Sequence, residues 1–299
     1  MVSAVTIVCC YRTGTLRMME ACARAVVRHT KMDYEFLIVT RDAEPGELDG
    51  VLGAFCPSTA MVLRVDVLDG PGVHGRMLDE ALASGVARHG APFVLTLDSD
   101  CLPVADGWLA GLHAGVVRAG VGAAGILHPW APPPADMGRD TIEWRVRSQH
   151  CWESTHVACQ LVPREFATHF GVGFADGDDT GLEVVKLIKT MGLRCEGFMP
   201  SRCPLSMTDF DPELNRQVGV VYGDMVYHHG GHTRVSACGG DAALRRSFGW
   251  ALDRVLEEGG AEWLLDDAVS HRYALDREEE VAAEKMKRLF GFDSWRVEG

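Results

Sequence analysis

The sequence predicts an α/β protein in which helices flank a mainly parallel sheet. Short apolar runs rich in β-branched residues alternate with segments of helical apolar spacing over the first 120 residues. Strands that are joined through helices run parallel to one another, because the crossover returns the chain to the same edge of the sheet. A charged helical pattern from residue 241 onward adds a helical C-terminal extension.

The two periodicities set the order of the elements. Apolar and β-branched runs predict strands at 5–10, 34–39, 61–67, 93–97, 156–162, 194–198 and 218–229. Apolar residues on one helical face predict helices at 15–29, 46–55, 74–89, 108–119, 182–191 and 278–289. Prolines and glycines interrupt both patterns, so we expect a loop or an irregular helix at 131–151 and a loop at 200–217.

Composition and charge exclude several classes of protein. The chain has 299 residues, of which 47% are hydrophobic and 24% charged, as in globular rather than disordered or collagen-like proteins. Its 42 acidic and 29 basic residues give a net charge of −13, which argues against a nonspecific nucleic-acid binder. The ten cysteines are scattered, and neither a transmembrane run nor a signal-peptide pattern is present. We therefore expect a cytoplasmic protein with reduced thiols and no integral membrane segment.

The first candidate site is Leu97-Asp98-Ser99-Asp100, at the end of the predicted strand 93–97. In open α/β sheets, ligands bind beyond the carboxyl ends of the strands. Carboxylate oxygens are the ligands that hard divalent cations prefer. Asp98 and Asp100 are therefore candidate metal ligands, and a polar turn that ends the strand is the alternative interpretation.

A second acidic cluster, Asp176, Asp178 and Asp179, precedes the predicted helix 182–191. Capping and the helix dipole favour acidic residues at a helix N-terminus, which explains one or two of these carboxylates. Three close carboxylates repel one another and are explained less well in this way. In the functional interpretation, one of them is a general base in an acceptor site.

A third cluster, Tyr227-His228-His229-Gly230-Gly231-His232, places three histidines within five residues. Neutral imidazole is a common metal ligand. In a chain that also carries an Asp-x-Asp pair, we expect at least one of these histidines to bind the same metal.

Taken in order, these segments resemble the GT-A fold glycosyltransferases and, within them, family 2. The resemblance covers roughly residues 4–235. It rests on strand 5–10 with Tyr11-Arg12, the helix start His74-Gly75-Arg76-Met77-Leu78-Asp79-Glu80-Ala81-Leu82, Leu97-Asp98-Ser99-Asp100, Gly173-Phe174, Asp178-Asp179-Thr180-Gly181-Leu182 and Tyr227-His228-His229-Gly230-Gly231. It implies a Rossmann-like GT-A domain at 1–235, with a nucleotide-sugar-binding half at 1–125, an acceptor-side half at 126–235 and a helical extension at 236–299.

The resemblance implies a metal site that holds Mn²⁺ or Mg²⁺. Asp98 and Asp100 correspond to the family's Asp-x-Asp pair, with Asp100 as the direct ligand. His228 corresponds to the family's C-terminal metal-binding histidine, and His229 and His232 are the alternatives.

It also implies a catalytic base and a donor site. Asp179, preceded by Asp178, corresponds to the family's acidic pair and would be the base of an inverting transfer. The residues expected to contact the nucleotide-sugar are Tyr11, Arg12, Asp42, Arg76, Asp98 and Ser99.

The implied function is a metal-dependent glycosyltransferase that moves a sugar from a UDP-, GDP- or dTDP-sugar to the hydroxyl of an unknown acceptor. The family's acidic pair after the second strand is reduced here to Asp42 in a shifted register. The identity of the nucleotide base in the donor therefore stays open. The alternatives are a nucleotidyltransferase acting on sugar phosphates and a noncatalytic nucleotide-sugar-binding module. The extension, with Trp250, Trp263 and Trp295, is expected to pack on the domain, to form a homodimer interface or to be a solvated cap.

Overall fold

The computed structural model describes residues 4–68, 70, 72–83, 91–128, 154–168, 172–175, 180–204, 219–229, 253–258 and 260–272. The strands are β1 (Val5–Tyr11), β2 (Tyr34–Thr40), β3 (Ala60–Arg64), β4 (Phe93–Leu97), β5 (Cys101–Pro103), β6 (Val121–His128), β7 (Ser154–Pro163), β8 (Arg194–Phe198), β9 (Pro200–Pro204), β10 (Val220–Tyr222), β11 (Val226–His228) and β12 (Ser270–Arg272). The helices are α1 (Leu16–His29), α2 (Asp49–Leu52), α3 (Val73–Ala81), α4 (Trp108–Val116), α5 (Arg164–Thr168) and α6 (Leu182–Thr190).

The central sheet has seven strands in the order β3-β2-β1-β4-β7-β6-β8. Strands β3, β2, β1 and β4 run parallel, as do β6 and β8, whereas β7 is antiparallel to both of its neighbours. The predicted α/β fold with a mainly parallel sheet is therefore confirmed, and it agrees with the Rossmann-like GT-A expectation.

Helices cover both faces of this sheet. Ile7 and Cys9 of β1 belong to a core cluster that includes α1 and α4, whereas Val8 belongs to a second cluster that includes α3 and α6. This division follows from the alternation of side chains along a strand. Because both faces of the sheet are buried, its parallel strands are continuous apolar runs. Such runs can be recognised in the sequence, and these strands were therefore predicted.

A smaller antiparallel sheet, in the order β12-β9-β10-β11-β5, corrects two predictions. The predicted strand 218–229 is a hairpin of β10 and β11, joined through Gly223, Asp224 and Met225. Gly223 and Asp224 both have positive φ and the Met225 N–H donates to Tyr222 O at 2.9 Å, which makes a tight turn of the kind that suits hairpins. The predicted loop 200–217 begins with β9. Its prolines, Pro200 and Pro204, lie at its two ends, where a missing N–H is tolerated.

Strand β6 was not predicted, because glycine and alanine are infrequent in strands. Its glycine content reflects close backbone approach. A Cβ atom on Gly125 would lie 2.2 Å from Cys159 O, and one on Gly197 of β8 would lie 1.7 Å from Gly125 O. Side chains at these positions would push the strands apart. The glycines that make β6 hard to predict as a strand are therefore also the residues that allow it to pair.

The described C-terminal residues pack on the rest of the chain. Strand β12 pairs with β9, and Trp263 is buried in the core cluster that contains α1. The buried Arg202 of β9 forms ion pairs with Asp224 and Asp267. Trp250, Trp295 and the predicted helix 278–289 lie outside the described residues. Within the described ranges, no helix combines the length and apolar character that a membrane crossing requires.

Candidate metal centre

The turn between β4 and β5 carries the Asp-x-Asp pair. The Asp98 N–H donates to Ala158 O of β7, and the Cys101 N–H donates to Asp98 O, both at 2.9 Å. These bonds fix the turn just beyond the carboxyl end of β4. The two carboxylates therefore lie at the edge of the sheet where α/β proteins bind ligands.

Strand β11 brings His228 to the same turn. It pairs with β5 so that His228 lies opposite Cys101, and the His229 N–H donates to Asp100 O at 3.0 Å. One possible ligand atom from each of Asp98, Asp100 and His228 lies within 4.8 Å of the others. We call these three residues the metal group. The structure thus brings together three of the ligands that the sequence predicts.

The metal group fits a divalent cation. Oxygen ligands of Mg²⁺ lie about 2.1 Å from the ion, so ligands on opposite sides are about 4.2 Å apart, close to the spacing of this group. His228 Nε2 and Asp100 Oδ1 are 3.7 Å apart, which is too long for a hydrogen bond between them. Two carboxylates so close also repel each other, and a cation would offset that repulsion.

The environment of His228 suits the role of a metal ligand. Burial lowers the pKa of His228, against the opposing effect of the Asp98 charge. The imidazole is therefore mostly neutral at pH 7 and keeps a ring-nitrogen lone pair for a metal. The Asp100 side chain is 11% exposed and that of His228 is 7% exposed, so both ligands are largely shielded from water.

The neighbouring His229 is placed differently. Its Nδ1 lies 2.8 Å from the Tyr227 hydroxyl, and both side chains are buried. Among the described residues, the group that could hold a metal contains His228 but not His229. His232, the other alternative, lies outside the described residues.

The predicted nucleotide contacts follow β1 and β2. Asp42 accepts a hydrogen bond from the Thr13 N–H at 3.2 Å, and its carbonyl accepts one from the Thr13 hydroxyl at 2.9 Å. The exposed Arg12 belongs to the same turn. Tyr11 is only 1% exposed, and its hydroxyl donates to Glu47 at 2.5 Å. Burial, and to a smaller extent the hydrogen bond to Glu47, raises the pKa of Tyr11. Arg12 and Asp42 therefore share one edge of the sheet, while the contact of Tyr11 with a base stays a prediction.

Arg76 and Ser99 complete the predicted donor residues. Ser99 lies in the turn between the two aspartates. The Arg76 guanidinium donates to Leu68 O at 2.9 Å and lines a cavity of about 550 Å³ with Asp66 and Glu80. The members of the metal group do not line this cavity, and the contact of Arg76 with the phosphates of a donor stays a prediction.

Asp178 and Asp179 lie outside the described residues, but the chain on either side is held in place. The Asp79 carboxylate of α3 accepts the N–H groups of Phe174 at 2.6 Å and Ala175 at 3.0 Å. The Gly181 N–H donates to Phe174 O at 2.9 Å. A Cβ atom on Gly75 would lie 2.6 Å from Phe174 O, so α3 packs directly against this backbone. We call these contacts of Gly75 and Asp79 the α3 anchor.

Sequence reasoning missed the roles of His74 and Asp79. His74 Nε2 lies 3.3 Å from Asp98 Oδ1. A signal for His74 was available, because a residue at the start of the helix after a parallel strand lies near the ligand-binding edge. For Asp79 no signal was available, since its partners are backbone N–H groups about 95 residues away in sequence.

The chain is similar in fold to solved structures of glycosyltransferases. A mannosyltransferase from Pyrobaculum calidifontis, in complex with GDP-Man and Mn²⁺, is 18% identical, with a TM-score of 0.49 over 66% of this chain and 55% of that one. Glucosyl-3-phosphoglycerate synthase from Mycobacterium tuberculosis, in complex with Mn²⁺, UDP and phosphoglyceric acid, is 14% identical, with a TM-score of 0.46 over 66% of this chain and 68% of that one.

The chain spans about half the length of the mannosyltransferase. No protein-family model matches the sequence, and no curated protein matches it significantly. At these identities and TM-scores, the likeness assigns no activity to the chain.

Proposed function

We propose that the protein is a metal-dependent glycosyltransferase, which moves a sugar from a nucleotide-sugar to an acceptor hydroxyl. The observation that supports this most is the metal group, because two carboxylates and a neutral imidazole meet at the carboxyl end of β4. A cation there would lie at the edge of the sheet shared by Arg12 and Asp42, where a nucleotide would bind.

The metal group would hold Mn²⁺ or Mg²⁺. Carboxylates suit both ions, whereas an imidazole ligand favours the transition metal, so we expect Mn²⁺ to bind more tightly. When bound, the ion supplies Lewis-acid stabilisation of the negative charge on a departing nucleoside diphosphate. The chain's own contribution is to fix the ligands, through the bonds of Asp98 to Ala158 and of His229 to Asp100.

Asp179 is the proposed general base, with Asp178 completing the acidic pair. A carboxylate there would accept the proton of the acceptor hydroxyl as that oxygen attacks the anomeric carbon. Attack from the face opposite the leaving diphosphate inverts the anomeric configuration. The α3 anchor supports this role, because it holds the chain at Phe174 and Ala175, just before the acidic segment, residues 176–179.

The reaction can be tested without a known acceptor. Transfer of the sugar to water releases a nucleoside diphosphate, whereas a nucleotidyltransferase given a triphosphate releases pyrophosphate. We expect Asp179→Asn to slow diphosphate release by about 10²–10⁴-fold, the usual contribution of a general base. Mn²⁺-dependent nucleotide binding should not change.

The matched control is Asp33→Asn. Asp33 is exposed and precedes β2, at the opposite edge of the sheet from the metal group. Equal diphosphate release by the wild type and Asp179→Asn would refute the assignment of the base. Release of pyrophosphate in place of diphosphate would refute the proposed reaction.

A further inference from the structure

We infer that His74 is a positioning residue for Asp98 and sets the affinity of the metal group for its cation. His74 is the second residue of α3, and its Nε2 lies 3.3 Å from Asp98 Oδ1. The inference rests on the metal site of the proposed function, but it does not depend on sugar transfer.

The position of His74 beside Asp98 allows an attraction between the two side chains. An ionised carboxylate only accepts hydrogen bonds, so a ring nitrogen that faces it attracts it by carrying a proton. The His74 ring would then restrict one carboxylate oxygen of Asp98 and leave the other available to a cation. Among the described residues, His74 itself does not belong to the group that could hold a metal.

Asp98 needs such a partner more than Asp100 does. The Asp98 side chain is 27% exposed, against 11% for Asp100. Backbone hydrogen bonds fix the turn but not the torsion angles of a partly exposed side chain. Without His74, Asp98 would rotate among several rotamers, and binding a cation would have to restrict them.

His74 also connects two parts of the site. It lies next to Gly75 and five residues before Asp79, and both of these residues contact the backbone of Phe174 and Ala175. Helix α3 therefore contacts the metal group through its first turn and the chain before the acidic segment through Gly75 and Asp79. One helix therefore connects the metal group with the backbone of Phe174 and Ala175.

The experiment measures the affinity of the full chain for Mn²⁺ alone, by electron paramagnetic resonance of free Mn²⁺. We expect His74→Leu to weaken binding by about 10–100-fold, the usual effect of losing an outer-shell partner. His74→Gln, which keeps an N–H donor, should restore most of the affinity. His113→Leu is the matched control, because His113 contacts Phe93 at the opposite end of β4.

The outcomes separate this inference from the proposed function. If Asp100→Asn weakens Mn²⁺ binding but His74→Leu does not, His74 has no positioning role. Tighter binding by His74→Leu would also overturn the inference, because it would mean that the ring repels the cation. Failure of Asp100→Asn to weaken binding would refute the metal site itself. If His74→Leu does not fold, the test rests on His74→Gln. Its Mn²⁺ affinity should then lie within about threefold of the wild type, because loss of an outer-shell partner costs about tenfold or more. A larger loss of Mn²⁺ affinity in His74→Gln would overturn the inference.

Discussion

The metal group and the α3 anchor both adjoin helix α3, the first through His74 and the second through Gly75 and Asp79, yet they are built in different ways. In the metal group, three side chains converge because the register of β5 and β11 places His228 beside Asp100. In the α3 anchor, the Asp79 carboxylate and the bare backbone of Gly75 hold main-chain atoms of a distant segment. Metal ligands must be particular residue types, whereas a backbone segment that is held by a helix can have almost any sequence.

This difference implies that the two regions fail separately. Changes in the metal group should reduce cation affinity, and changes in the α3 anchor should reduce turnover or stability while leaving cation affinity intact. The predictions below test that separation, from the largest expected effect to the smallest.

The largest effect is expected for His228→Gln. It removes an imidazole ligand from a largely buried site, so Mn²⁺ affinity should fall by more than the roughly 10–100-fold that follows loss of an outer-shell partner. His229→Gln is the matched control, because the His229 ring contacts Tyr227 and lies outside the metal group. Titration with Mn²⁺ distinguishes the two variants, and an equal loss in both would contradict the assignment of the ligand.

Asp79→Asn should affect turnover. The amide has a single oxygen acceptor, so one of the N–H groups of Phe174 and Ala175 would lose its partner. A lost bond to a charged acceptor amounts to about 1.5–3 kcal/mol, and we expect diphosphate release to slow by about 10–100-fold. Mn²⁺ affinity should be unchanged, and the amide protons of residues 174 and 175 should exchange faster. Loss of Mn²⁺ affinity in this variant would mean that the two regions are not separate.

Gly75→Ala should affect stability. Its Cβ atom would meet the backbone of Phe174 and Ala175 at 2.6–2.7 Å, and overpacking of this kind usually costs about 1–3 kcal/mol of unfolding free energy. Gly50→Ala in α2 is the control, because its Cβ atom would have only a side-chain oxygen at 3.9 Å nearby. Urea denaturation measures both variants. Equal stability of Gly75→Ala and Gly50→Ala would show that α3 does not pack closely on this segment.

The smallest effect is expected for Tyr227→Phe. It removes the hydroxyl that lies 2.8 Å from His229 Nδ1, a loss of about 1 kcal/mol of unfolding free energy. Mn²⁺ affinity should remain that of the wild type, because Tyr227 and His229 lie outside the metal group. A clear fall in Mn²⁺ affinity would instead show that Tyr227 and His229 help to position His228 as a metal ligand.

The same contrast explains what could be predicted from the sequence. Buried parallel strands such as 93–97 are apolar on both faces, and the carboxylates at their ends are recognisable residue types. Strand β6 was missed because the close backbone packing at Gly125 depends on tertiary structure. The β10-β11 hairpin was missed although Gly223-Asp224 is a residue pair that favours a tight turn with positive φ. His74 and Asp79 act through contacts that join distant parts of the chain, and helical periodicity does not reveal these.

The central claim is that the metal group binds the diphosphate of a nucleotide through a cation. Isothermal titration of the wild type with UDP, GDP and dTDP, with Mn²⁺ and with a chelator, tests it most directly. We expect one of the three nucleotides to bind in the presence of Mn²⁺ only, and a folded Asp100→Asn variant to lose that binding. Equal binding with the chelator, or no binding of any of the three with Mn²⁺, would contradict the claim.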